Sequence, residues 1–250
     1  MSWFSRTPKI PSGQLVFAIG DIHGCDDLLL ALEDKLRAYA LTMPEFSVRQ
    51  IFLGDYIDRG RDSQAVIAHI MAPPPDGWNR TCLRGNHEQM LLDFLAEPAI
   101  GPSWIDYING GRATLHSYGV ADPKYFTDMQ QARDELAAKM PATQRQFLEN
   151  LPYSLEVGDY YFVHAGAHPN RKLVDQLPND QLWIREPFLS SRHDFGKVIV
   201  HGHTISAHPQ LTPTRIGIDT GAYWSGTLTA IALHGTEQVI IQASRNQIAG

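Results

Sequence analysis

The chain has 250 residues, 43% hydrophobic and 19% charged, enough apolar material to bury a core without covalent staples. A formal net charge of −6 with no basic stripe argues against nucleic acid as a partner. Cys25 and Cys82 have no close spacing, which excludes a disulfide framework, and no apolar run is long enough to span a bilayer. A cytoplasmic protein with no membrane partner is the expectation, and without a heptad pattern a monomer is expected too.

Met1 to Gly13 has no apolar run and reads as a loose lead-in, punctuated by Pro8, Pro11 and Gly13, rather than a signal peptide. Leu15-Val16-Phe17-Ala18-Ile19 ends at glycine and predicts a buried strand. Asp26 and Asp27 stand where helix N-caps belong, and Leu28, Leu32, Leu36 and Tyr39 recur at helical spacing through Ala40. Ile51-Phe52-Leu53 is a second strand. A helix from Ser63 then turns Val66, Ile67 and Ile70 inward and stops before Pro73-Pro74-Pro75. Thr81-Cys82-Leu83 is a third strand, and Met90, Leu91, Phe94 and Leu95 mark a third helix. From Glu97 to Leu151 the spacing of Met129, Leu136, Met140, Phe147 and Leu151 is helical, which predicts a helical insertion covering one flank of any site. Strands return at Tyr160–Val163, Val198–Val200, Ile216–Ile218, Leu228–Leu233 and Val239–Ile241, the last two as a hairpin through His234-Gly235-Thr236. The alternation of strand, polar loop and helix predicts an α/β fold.

The chemistry sits in the loops. Gly20-Asp21-Ile22-His23-Gly24, Gly54-Asp55-Tyr56-Ile57-Asp58-Arg59-Gly60, Arg84-Gly85-Asn86-His87-Glu88, Val163-His164-Ala165-Gly166 and Gly202-His203-Thr204 follow one another along the chain, each after a strand-like run. Asp21 and His23 alternate on an extended segment and can face one side. Asp55 and Asp58, in an otherwise apolar strand-to-helix connection, would repel unless a cation lay between them. Asn86 adds a neutral oxygen, and His164 and His203 add imidazoles. The combination predicts two adjacent cations and metal-assisted phosphoryl hydrolysis. Because the motifs run from Gly20 to near Gly221, residues 14–250 are expected to form one domain around one site.

These motifs resemble the phosphoprotein phosphatase branch of the calcineurin-like metallophosphoesterases, and within it the bacteriophage lambda type and its bacterial relatives. Asn109-Gly110-Gly111, Trp183-Ile184-Arg185-Glu186 and Asp219-Thr220-Gly221-Ala222 extend the resemblance, which covers roughly Leu15 to Leu233. It implies a central mixed β-sandwich flanked by helices. It also implies that Asp21 and His23 hold a first metal, that Asp55 bridges, and that Asn86, His164 and His203 hold a second. Two divalent ions are implied, manganese first, with iron or zinc fitting the same thiolate-free donors.

Two cations about 3.5–4 Å apart can share a water and aim the resulting hydroxide at phosphorus. Phosphate oxygens need donors in fork geometry, which arginine supplies, and the resemblance implies Arg59 and Arg185, with Arg84 beside them; by itself Arg185 would read as a surface salt bridge with Glu186. An alkoxide leaves poorly, so His87, oriented by Asp58, is expected as general acid. Glu88 reads as a supporting or helix-capping residue, and Tyr223 as part of the substrate rim. His201 is open to a supporting role two residues before a ligand, and the other histidines read as surface or helix residues. The expected activity is serine/threonine phosphoprotein dephosphorylation, extending to phosphotyrosine and small phosphoesters. The alternative is symmetrical dinucleoside tetraphosphate hydrolysis. Phosphodiesterases of the superfamily usually carry a histidine where Ile205 stands, which lowers that reading, and a silent scaffold would be expected to have lost ligands.

Overall fold

A computed structural model describes residues 7–121, 123 and 128–248, so part of the expected lead-in (1–6) and of the insertion (122 and 124–127) lies outside the described residues. The chain runs β1 (Gln14–Ile19), α1 (Asp26–Ala40), β2 (Ser47–Phe52), α2 (Ser63–Met71), β3 (Trp78–Cys82) and α3 (Asn86–Ala96). The expected insertion follows as α4 (Gly101–Trp104), α5 (Gly111–Ser117), α6 (Met129–Lys139) and α7 (Ala142–Glu149), with no strand among the described residues. Then come β4 (Ser154–Val157), β5 (Tyr160–Val163), α8 (Pro178–Trp183), β6 (Val198–His201), β7 (Gln210–Leu211) and β8 (Arg215–Gly217). The chain closes with α9 (Ala222–Ser225), β9 (Thr227–His234), β10 (Glu237–Ser244) and α10 (Arg245–Ile248). Among the described residues no helix is long and apolar enough to cross a membrane.

Two mixed sheets of five strands result, ordered β10-β9-β1-β2-β3 and β4-β5-β6-β8-β7. β1, β2 and β3 are parallel, as are β5, β6 and β8, and antiparallel strands close one edge of the first sheet and both edges of the second. The unbroken apolar run of β1 is explained by burial on both faces. Leu15, Phe17 and Ile19 pack into the helical core, whereas Val16 and Ala18 join Ile51, Phe162 and Val200 between the sheets. The period of two along a strand thus divides one segment between two cores.

Three local expectations need correction. Cys25, not an aspartate, is the N-cap of α1, without a side-chain hydrogen bond, and Asp27 instead pairs with Arg245. β2 begins at Ser47 because Val48 and Gln50 are buried there, Gln50 tied to Glu33 and Arg80. The short strands β4 and β7 pair at the margins of the second sheet, with too few residues to show a period.

What this frame does for function is positional. The loops leaving the parallel strands of both sheets meet on one rim, where such folds place ligands.

Candidate metal centre

The loop after β1 docks on the loop after β2. Ile22 and His23 both donate backbone N–H to the Asp55 carbonyl, at 3.0 and 2.9 Å. Glycine is needed at position 60, since a Cβ there would stand 1.9 Å from the His23 carbonyl oxygen. His23 Nδ1 lies 2.7 Å from the Ile57 carbonyl; as donor there, it leaves the Nε2 lone pair facing the centre.

Across the rim, α3 starts at Asn86, and Glu88 bonds back to the Gly85 N–H at 2.9 Å, as a capping residue does. The same carboxylate accepts from Asp55 N and Tyr56 N at 2.9 and 2.8 Å, so one buried acid fixes both loops. Asn86 Oδ1 then sits 2.8 Å from His164 Nε2 and 2.9 Å from His203 Nδ1. His164 Nδ1 is tied to the Leu53 carbonyl at 2.9 Å, which orients the ring as for His23. The His203 N–H donates to Asp21 Oδ2 at 3.0 Å, joining the two sheets. Among the described residues, the non-glycine positions at positive φ are His23, Asp55, Asp58, Arg59 and His203. Each such residue costs about 1–3 kcal/mol of strain, and all of them lie in this site.

Two groups of side chains can each surround a cation: His23, Asp55 and His87, and Asp55, His164 and His203. Asp55 belongs to both. Asp21, expected in the first, turns its carboxylate toward the His203 N–H and Asp219. Burial, then Asp219 and Asp55, push the Asp21 carboxyl well above the carboxylate range, and burial and Asp55 bring Asp219 up to about 6. Burial opposes ionisation of Asp55 as well, but the imidazoles of His164, His87, His23 and His203 outweigh it and hold the group low. Burial keeps His23 and His164 below the usual imidazole range and brings His203 down to about 2, which favours neutral rings. His203 Nε2 is buried with no partner. Crowded buried carboxylates, neutral imidazoles and an amide oxygen, without thiolate, form a donor set that fits divalent cations.

Beside these groups, His87 Nδ1 meets Asp58 Oδ2 at 2.7 Å, and its Nε2 lies 3.8 Å from Asp55 Oδ2. Burial disfavours the imidazolium, but Asp55 and Asp58 outweigh that and raise the His87 pKa.

A profile of the calcineurin-like phosphoesterases matches residues 15–231. The chain belongs to that family. This phosphoesterase is 31% identical over 229 residues to Serine/threonine-protein phosphatase 1 of Salmonella typhimurium, covering 86% of this chain and 89% of that one. It is 24% identical over 279 residues to the symmetrical bis(5'-nucleosyl)-tetraphosphatase of Bordetella pertussis, covering 93% and 97%. Its fold is also that of the cold-active protein-tyrosine phosphatase of a psychrophilic Shewanella (TM-score 0.59, 17% identity, 97% and 85% covered).

The phosphoesterase brings Asp21, His23, Asp55, Asn86, His164 and His203 to one rim, with the His87–Asp58 pair adjoining. Arg59 reaches it too: Nη1 lies 2.8 Å from His23 Nε2, and the guanidinium stands 4.9 Å above the Tyr223 ring. Tyr223 in turn meets His23 edge-on at 5.4 Å. Arg185 is exposed, and its charge acts on both His164 and His203. Arg84, expected on the phosphate, is not brought there. Its guanidinium donates to Gln89, Tyr153 and the carbonyls of Leu148 and Glu149, which leaves no fork free. Asp219, Trp104 and Thr114 escaped the sequence reading as site residues. Asp219 had one signal in its favour, for it follows a strand-like run as every expected ligand does.

Proposed function

We propose that this phosphoesterase is a serine/threonine protein phosphatase acting through two divalent cations. Asp21, His23 and Asp55 would hold one, and Asp55, Asn86, His164 and His203 the other, with manganese the first choice and iron or zinc fitting the same donors. The observation that carries the reading is Asp55, shared by two donor groups of which His87, engaged at Nδ1 by Asp58, is the member left for proton transfer. When bound, the cations supply Lewis acidity and a solvent nucleophile of lowered pKa.

The chain's own residues do the rest. Arg59 is steadied by the Ile108 carbonyl at 3.2 Å and by the Tyr223 ring, and it offers its remaining N–H groups to phosphate oxygens. Arg185, on the His203 side, offers a second fork from the open edge of the site. His87 donates its Nδ1–H to Asp58 Oδ2 and holds its other proton on Nε2, the atom facing the centre. From there it protonates the leaving alkoxide of serine or threonine. Burial opposes the imidazolium, but Asp55 and Asp58 together raise the His87 pKa and so favour the protonated ring.

Greater identity to the Salmonella phosphatase than to the Bordetella enzyme supports a phosphoprotein substrate. The competing reading, symmetrical dinucleoside tetraphosphate hydrolysis, is favoured by a relative that spans 93% of the chain. The deciding experiment compares specific activity with added manganese on phosphoserine and phosphotyrosine peptides and on diadenosine tetraphosphate. A large preference for the dinucleotide overturns the choice of substrate.

A further inference from the structure

We propose that Trp104 and Thr114, both carried by the insertion, are positioning residues for the His87 proton donor, acting through Asp58. The inference rests on the reading of His87 as general acid, and it gives the Asn109-Gly110-Gly111 motif between them a purpose.

Asp58 is fully buried and has no solvent to complete its hydrogen bonds. Its Oδ2 accepts from His87 Nδ1 at 2.7 Å and from the Trp104 indole N–H at 2.8 Å. Its Oδ1 accepts from the Thr114 hydroxyl at 2.5 Å. The carboxylate therefore cannot rotate about its Cβ–Cγ bond without losing a donor on each oxygen. A carboxylate fixed in plane and direction fixes the imidazole bonded to it, as an outer carboxylate does for any working histidine. Trp104 and Thr114 are themselves immobile, at 1% and 0% exposure, and the Trp104 ring packs 4.9 Å from Phe94.

The segment between them is shaped for this contact. A Cβ on Gly111 would lie 2.5 Å from the Trp104 ring, so glycine lets the indole lie flat against the start of α5. Gly110, at φ +76°, accepts the Arg59 N–H at 3.1 Å, and a Cβ there would meet the Arg59 side chain at 2.7 Å. The Ile108 carbonyl holds Arg59 Nε. One stretch of the insertion thus clamps Asp58 and Arg59 together. A purely structural role would predict the same burial, but not that the loss depends on the leaving group.

The test measures kcat on a phosphoserine peptide, whose leaving alkoxide needs a proton, and on para-nitrophenyl phosphate, whose phenolate does not. The manganese-supplemented full chain is compared with its Trp104→Phe, Thr114→Val and Thr114→Ser variants. General-acid loss is bounded at about 10²–10⁴-fold, so the loss for Trp104→Phe and Thr114→Val on the peptide should exceed that on the aryl ester by roughly tenfold, with KM little changed. Thr114→Ser, which keeps the hydroxyl, should restore most of it. Equal losses on both substrates, or none, overturn the proposal. His87→Asn is the control. If it shows no leaving-group dependence, the acid assignment falls and this inference with it. If it does and the insertion variants do not, only the positioning role falls. Independently of metal and activity, the Trp104 indole proton of the metal-free chain should exchange slowly and shift in Asp58→Asn. A resonance unmoved by that change overturns the contact.

Discussion

Replacing Arg84 with methionine separates a strut from a phosphate ligand. Methionine keeps the apolar stem and removes the fork. The Leu148 carbonyl, buried at the end of α7, then loses its 3.1 Å donor and keeps only the Leu151 N–H at 3.5 Å, and leaving a buried acceptor so poorly satisfied costs about 1–3 kcal/mol. The cation over Tyr153 at 5.1 Å is also lost, worth about 0.5–2 kcal/mol. So is a positive charge against the last carbonyls of α7, about 0.3–1 kcal/mol. The Glu149 carbonyl can turn to water and adds little. The total, about 2–6 kcal/mol, translates to a Tm fall of roughly 4–24 °C for a chain of this size. The assay is a thermal melt by circular dichroism, run beside Michaelis–Menten kinetics on para-nitrophenyl phosphate with manganese. KM should stay within about twofold, because both Arg84 Nη groups are committed to protein acceptors and its unpartnered Nε is buried away from solvent. An unchanged Tm with a KM raised tenfold or more would refute the assignment and return Arg84 to the substrate.

The opposite pattern is expected of Arg185→Ala. The side chain is exposed, so Tm should hold while KM for phosphomonoesters rises severalfold, and an unchanged KM would remove it from the site. Manganese at a hundred times its dissociation constant should stabilise the chain by about 2.7 kcal/mol, read as a rise in Tm; Asp55→Asn, lacking the shared ligand, should respond far less, and a full response from that variant contradicts the shared site. Burial brings His201 down to about 4 from an ordinary value near 6.5. Between those values the unfolded chain binds a proton that the folded chain refuses, so this stability is complete above pH 6.5 and declines as pH falls toward 4, by up to about 3 kcal/mol. His201→Gln should flatten the slope of Tm against pH over that window, and an unaltered slope would clear His201 of acid sensitivity.

The candidate ligand loops were legible as a cluster because each is a local event. A buried apolar strand ends, glycine turns the chain, and a carboxylate or imidazole follows with nothing nearby to pair it. What failed needed distance. Asp219 satisfies a local reading completely, since its Oδ1 accepts the Gly221 N–H at 2.8 Å as in any Asx turn. Only the fold sets it against Asp21. Arg84 stands two residues before Asn86, and its place on the phosphate was implied by the family resemblance of that motif. But Gly85 is extended, with ψ 170°, and the chain enters α3 beyond it, so the neighbours diverge. Trp104 and Thr114 lie in short helices where an aromatic and a threonine read as packing. They do pack, and nothing in the spacing shows that what they pack against is a carboxylate.

The division of the donors between the sheets explains why strain is tolerated here. Asp55 and Asn86 leave strands of the first sheet, whereas His164 and His203 leave strands of the second. Asn86 and His203 lie 117 positions apart, so any cation they share closes a long loop, and the entropy of that closure grows only slowly with length. A shared cation would therefore staple the sandwich across its open rim. The strain of Asp55, Asp58 and Arg59 at positive φ is met by Glu88, Ser63, Thr114 and the Gly110 carbonyl before any metal arrives. Protein contacts thus preorganise the centre, and metal binding adds inter-sheet stability to a site already shaped, which is why its effect should appear in Tm as well as in turnover.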